Sequence, residues 1–324
     1  MNYYADRNYI HAGIYALHSA LFDRGALIDI IKSGSLHSIH PEIDKEIALK
    51  NTGRVFELIF ESQSARIMRL TEASASTRGL FMLFLRYFEI HNLKLLCREA
   101  FGMRPEPSAW YNTGVHAALH RAPGITAGGI KVLVEYTRLT WMKDFFPEED
   151  ITGFAFAEYC IDKAVLDRAA DFILTMNHRD SRDAMKLLAG YIAFMRITWG
   201  NRLKTIYNIL PGSEPAFAST VMWPRNTGSK FKRIVREQEK MLLKKTGGAD
   251  IEDSESLSTL EKKMERVLFA EVRRMFYHDF HSRNTVACYL LLLYRQIRNL
   301  SAIAEGLRLG LDAETIMENV ICEE

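Results

Sequence analysis

Residues Tyr289–Val320 read YLLLLYRQIRNLSAIAEGLRLGLDAETIMENV, and this stretch decides the fold class. It continues an apolar run that starts at Val286 and ends at Tyr294, passes through Arg298-Asn299-Leu300, and reaches Gly310. Glycine enters the left-handed region without steric cost, so Gly310 is a natural helix stop. Leu311 and Asp312 then turn the chain into a short acidic segment carrying Glu314 and Glu318. None of the eight prolines lies beyond Pro224, so this end of the chain lacks the strongest helix breaker. The stretch therefore reads as a long helix, a turn and a short helix.

The same signal extends outward. From Leu257 the apolar positions run Leu257, Leu260, Met264, Val267 and Leu268, at the spacing of one helix face. Ser258 with Glu261 three residues on has the form of a capping box and predicts a helix start there. Strand-like alternation over five or more residues is hard to find, and no Asn-Gly or Asp-Gly hairpin turn occurs. The fold class expected is all-α.

Helix breakers cluster in two long stretches. Met103 to Gly129 holds Pro105, Pro107, Pro123, Gly124, Gly128 and Gly129; Leu210 to Ser229 holds Pro211, Gly212, Pro215, Pro224 and Gly228. A shorter Gly-Gly and acidic stretch runs from Thr246 to Ser256. The two longer stretches divide the chain into near-equal parts, 1–112, 113–222 and 223–324, which invites a search for repeats. Each part ends in a long helical segment carrying an asparagine: YFEIHNLKLL around Asn92, RITWGNRLKTI around Asn201 and YRQIRNLSAI around Asn299. Lys94 and Lys204 follow the first two. A glycine comes ten or eleven residues after each asparagine, at Gly102, Gly212 and Gly310. Upstream lie amphipathic segments at Val55–Leu70, Glu158–Leu174 and Leu260–Phe276. Asparagine is a poor helix-interior residue, so three at matching points predict a shared structural task. The expected task is a hydrogen bond to a neighbouring helix, or relief of a local kink.

These segments resemble a known family. FLRYFEIHNLKLLCREAFG (Phe84–Gly102) is similar to the Asn-Leu-Lys helix in the C-subunit of archaeal and bacterial V/A-type ATPases, the family of the eukaryotic d-subunit. Tyr289–Val320 resembles that family's closing helix pair still better. There are departures. One extra residue separates Asn201 from Leu203, Ser301 stands where the first part has Lys94, and an N-terminal helix expected from Tyr9 to Phe22 carries His11 and His18 but no arginine. The resemblance implies three similar helical domains around a pseudo-threefold axis, forming a funnel. It implies a peripheral, cytoplasmic-side position on the membrane proteolipid ring, with the cavity receiving the foot of the central shaft made by the D and F subunits. It implies a coupling role in proton or sodium transport, with no catalysis and no cofactor.

Composition is consistent with a globular chain of 324 residues, with 48% hydrophobic and 25% charged residues. The 42 basic and 40 acidic residues nearly balance, which argues against nucleic acid as the main partner. The four cysteines, Cys97, Cys160, Cys288 and Cys322, are dispersed and form no CxxC pair, so reduced and mostly buried thiols are expected. The first residues are polar and have no apolar signal core. The longest apolar runs, Gly79–Leu85 and Val286–Tyr294, fall short of the roughly 20 residues a bilayer span needs.

Motifs that would carry chemistry are incomplete. His116 and His120 share a helix face at i, i+4, but Ala117 follows where a zincin needs Glu, and further ligands are missing. His278-Asp279 with His281 is similar to the His-Asp pair of metal phosphohydrolases, which require more ligands from other helices; His178 and Asp180 are the candidates. A helical metal-dependent hydrolase is thus the alternative function, and a generic helical-repeat scaffold a third. Gly228-Ser229-Lys230 and Pro123–Gly129 lack the order of a phosphate-binding loop, and no nucleophile elbow occurs. Seven basic residues crowd Lys230–Lys245. Lys232, Arg233 and Arg236 among them are candidate contacts to a partner or to lipid headgroups.

Overall fold

The computed structural model describes residues 3–73, 78–103, 141–142, 153–174, 178–207, 222–224, 227–247, 254–278 and 283–322. Among them the chain is all-α and no strand occurs. In chain order the helices are α1 (Tyr3–His18), α2 (Arg24–Ser33), α3 (Ile43–Ala48), α4 (Thr52–Ala73), α5 (Arg78–Ala100), α6 (Phe154–Leu174), α7 (His178–Thr205), α8 (Ser229–Thr246), α9 (Ser254–Phe276), α10 (Arg283–Leu309) and α11 (Ala313–Glu318). They form two compact units. One comprises residues 1–125 and 272–324, the other residues 126–271.

In the first unit α10 is the central element, packed against α1, α3, α4, α5 and α11. The apolar run Val286–Tyr294 behaves as a helix face should. Val286, Tyr289, Leu290 and Leu293 are buried, while Leu291 remains exposed on the other side. The Gly79–Leu85 run buries Leu80, Phe81, Phe84 and Leu85. An aromatic seam joins the three helices that carry these faces. Phe88 of α5 meets Phe60 of α4 edge-on at 4.8 Å between ring centroids, and Tyr87 meets Tyr294 of α10 at 4.8 Å. Edge-to-face pairs of this kind add about 0.5–1.5 kcal/mol each beyond the area they bury.

α1 ends at His18 and not at Phe22. Asp23 takes extended backbone and accepts from the Ala26 N–H at 2.8 Å, so it caps α2 and obliges the chain to leave helical geometry before it. The Phe22 N–H is satisfied from a distance, by Oε1 of Gln296 at 2.6 Å.

In the second unit α7 packs against α6 and α8. Trp199 of α7 is completely buried, and its indole N–H donates to Asp162 Oδ2 at 3.0 Å. Tyr159 meets it edge-on and the Tyr207 ring lies nearly parallel to it, with centroids 6.3 Å apart. α9 begins at Ser254, a turn before the predicted start, because nothing in Ser254–Leu257 opposes helix. Ser258 and Glu261 are therefore helix-interior residues, and the proposed capping box is not used. Glu261 instead receives Arg202 in a two-pronged pair, with Nε and Nη2 each 2.9 Å from a carboxylate oxygen.

Candidate functional site

The positions singled out from the repeat fall in the two units separately. Asn92 of α5 and Asn299 of α10 are buried, and Lys94 is half-buried. Asn201 is half-buried and Lys204 exposed on α7. Gly212 lies outside the described residues.

Asn299 and Asn201 do different work. Asn299 leaves its own helix: Nδ2 donates to Ile321 O at 2.9 Å and Oδ1 accepts from Ile321 N–H at 3.1 Å. Arg295, one turn earlier, donates to the same Oδ1 through Nε at 3.0 Å and Nη2 at 2.9 Å. The guanidinium thereby fixes the orientation of the amide. Asn201 turns back onto α7 and donates to Ile197 O at 2.8 Å, the local bond by which such residues compete with the helix ladder.

The glycine stops share one geometry. Gly102 has φ 75° and Gly310 has φ 69°. The Gly102 and Met103 N–H groups donate to Glu99 O and Arg98 O, each at 2.9 Å. Gly310 and Leu311 donate to Leu307 O and Gly306 O at 3.1 and 3.0 Å. Both are Schellman endings, which satisfy the last carbonyls of the helix and reverse the chain.

The basic segment forms α8. Lys232 is half-buried, with Nζ 5.6 Å from the Trp223 ring centroid. Arg196 of α7 lies over the same ring at 4.0 Å and is paired with Glu239. Arg233 and Arg236 face solvent, and Arg233 makes an exposed pair with Glu237 at 3.8 Å.

Residues considered for chemistry do not assemble a site within the described part. His116, His120, Asp279 and His281 lie outside it, as does Pro123–Gly129. His278 is exposed just past α9, whereas His178 and Asp180 belong to the start of α7. Among the described residues no three His, Cys, Asp or Glu side chains converge as a metal would require. All four cysteines are free thiols; Cys97, Cys160 and Cys288 are buried and Cys322 is half-buried. Burial pushes the Cys160 thiol up to about 12, far from a reactive thiolate.

Sequence reasoning missed the Arg295 brace, the Arg202–Glu261 pair and Gln296, which joins the Phe22 N–H to Gln63. The arginines adjoin or precede the repeat asparagines by a turn, and that proximity was the available signal.

No curated protein matches the chain. A model of the ATP synthase (C/AC39) subunit family matches residues 37–319. The chain belongs to that family. The C/AC39 family comprises structural, non-catalytic subunits of V/A-type ATPases. Its match spans both units and takes in Asn92, Asn201 and Asn299, Gly102 and Gly310, and all of α8. No helix among the described residues is long and apolar enough to cross a membrane.

Proposed function

We propose that this C/AC39 chain is the central-stalk socket of a rotary V/A-type ATPase. It grips the foot of a D/F shaft, rests on the membrane proteolipid ring and passes torque between them for proton or sodium transport. It is peripheral on the cytoplasmic face and performs no chemistry. Within this reading the repeat parts 1–112, 113–222 and 223–324 are three related helical domains arranged as a pseudo-threefold funnel.

The observation that carries the reading is the family match over residues 37–319. The packing supports it. Torque transmission needs elements that do not bend under load, and close-packed interiors resist compression. α7 has 28 residues and α10 has 27, rods of about 40 Å at 1.5 Å per residue. Trp199, the Phe60–Phe88–Tyr294 seam and the Arg202–Glu261 pair brace them from the side.

The test is reconstitution of the full chain with a purified shaft pair and, separately, with a detergent-solubilised proteolipid ring. Stable complexes with both are expected. A chain that bound neither, yet hydrolysed phosphoesters only when a divalent metal was supplied, would overturn the reading in favour of a metal-dependent hydrolase.

A further inference from the structure

α8 is sharply two-sided. Val235, Leu242 and Thr246 are buried against the unit, and Glu239 is engaged by Arg196. The opposite side exposes Lys230, Arg233, Arg236, Lys240 and Lys244, which recur every three or four residues, with Lys245 at the stripe's end. From Lys230 to Lys244 the stripe runs about 21 Å at the helical rise. Glu237 is the only acid of α8 on that side, and its nearest cation is Arg233 at 3.8 Å. Lys230, Arg236, Lys240, Lys244 and Lys245 form no ion pair among the described residues. Such a row of like charges repels itself unless something anionic covers it.

We infer that this exposed face of α8 docks on anionic phospholipid headgroups. Lysine predominates in the stripe, and lysine is depleted at protein–protein interfaces, where Trp, Tyr and Arg in pockets supply the binding energy. The stripe displays no aromatic side chain; Trp223 is covered by Arg196. Leu243 is its only exposed large apolar residue, beside Lys244 and Lys245. A straight row of flexible cationic side chains fits a plane of headgroups, to which each cation adds independently through the surface potential. The near balance of total charge speaks against nucleic acid as the polyanion. Lys232 lies outside this face, held at Trp223.

The test uses the full chain and protein-free vesicles, so its result is independent of binding to shaft or ring. Cosedimentation with phosphatidylcholine vesicles containing phosphatidylserine is expected, with none on phosphatidylcholine alone and progressive release by salt. Combined Lys230→Glu, Arg236→Glu and Lys240→Glu should lower partitioning about a hundredfold or more. The Gln versions of the same three changes should lower it less, and circular dichroism should report unchanged helix in both. Absence of binding to phosphatidylserine vesicles, or undiminished binding by the charge-reversed and neutralised variants, overturns the inference. So does release of the chain from the vesicles by polyglutamate at equal charge, which would assign the face to an acidic protein segment.

Discussion

A Cβ built on Gly306 would lie 2.5 Å from Cγ1 of Ile316. The bare backbone of α10 is therefore the floor on which α11 sits, and Ile316 is buried there. Gly306→Ala gains helix propensity of about 1 kcal/mol but forces α11 off its seat, and the net expected loss is about 1–2 kcal/mol. Ile316→Ala alone opens a cavity and should cost about 2–4 kcal/mol. The two changes together should cost clearly less than their sum, since the new methyl occupies space that Ile316 vacates. Denaturant midpoints of the four proteins measure this. A Gly306→Ala chain more stable than the parent would show that α11 does not rest on this glycine.

Asn299 and its Arg295 brace hold the chain that follows α11. Asn299→Leu removes both hydrogen bonds to Ile321 and buries an unmatched side chain in their place. The expected cost is about 2–3 kcal/mol, from two backbone groups left without a partner. Amide exchange at Ile321 should accelerate far more than exchange in the middle of α10. Equal acceleration at both places would mean the substitution weakens the whole unit and not the clasp.

Trp199 combines size with a polar obligation. Trp199→Phe keeps most of the apolar volume but removes the donor to Asp162, and should cost about 1–3 kcal/mol. Trp199→Ala should cost about 3–5 kcal/mol because it also leaves a void. Thermal unfolding of the two variants checks the order, and a Trp199→Phe chain as stable as the parent would sink the role assigned to the indole N–H.

Two groups give opposite ends of the acid range a handle on stability. Burial against Phe276, whose ring stacks on His18 at 4.0 Å, lowers the His18 imidazole, and Arg273 lowers it further. The unfolded chain then takes up this proton first. The stabilising contribution is complete above the ordinary imidazole value of about 6.5 and is lost as pH falls through the lowered folded value. His18→Gln should flatten the stability profile in that window. Asp312, by contrast, is held below the usual carboxylate range by the Thr315 N–H and then the Thr315 hydroxyl. Its capping contribution is complete above about 3.9 and is lost as pH falls through the lowered value. Amide exchange in α11 should therefore rise only in the more acidic window. Fraying of α11 already near neutral pH would contradict the assignment.

Much of the fold was legible. The apolar faces of α5 and α10, the all-α class and the stops at Gly102 and Gly310 follow from composition and spacing. The start of α9 was not. Ser258 and Glu261 have the spacing of a cap, but a carboxylate serves a guanidinium as readily as a backbone N–H, and Arg202 is 59 residues away. Nor is the end of α1 visible in the helical pattern of Tyr9 to Phe22: Asp23, as the cap of α2, sets it. In the basic segment the charge count was visible, whereas the face each cation occupies was not: Lys232 and Arg233 are neighbours in sequence yet point to Trp223 and to solvent.

Local chemistry was enough for helix against strand and for where several helices stop, since proline content, side-chain period and the freedom of glycine at positive φ belong to a few adjacent residues. Partner choice was not local. Asn201 and Asn299 occupy like sequence settings, yet one bonds its own helix and the other clasps Ile321, because the fold brings the backbone N–H and C=O of Ile321, 22 residues on, within reach of Asn299.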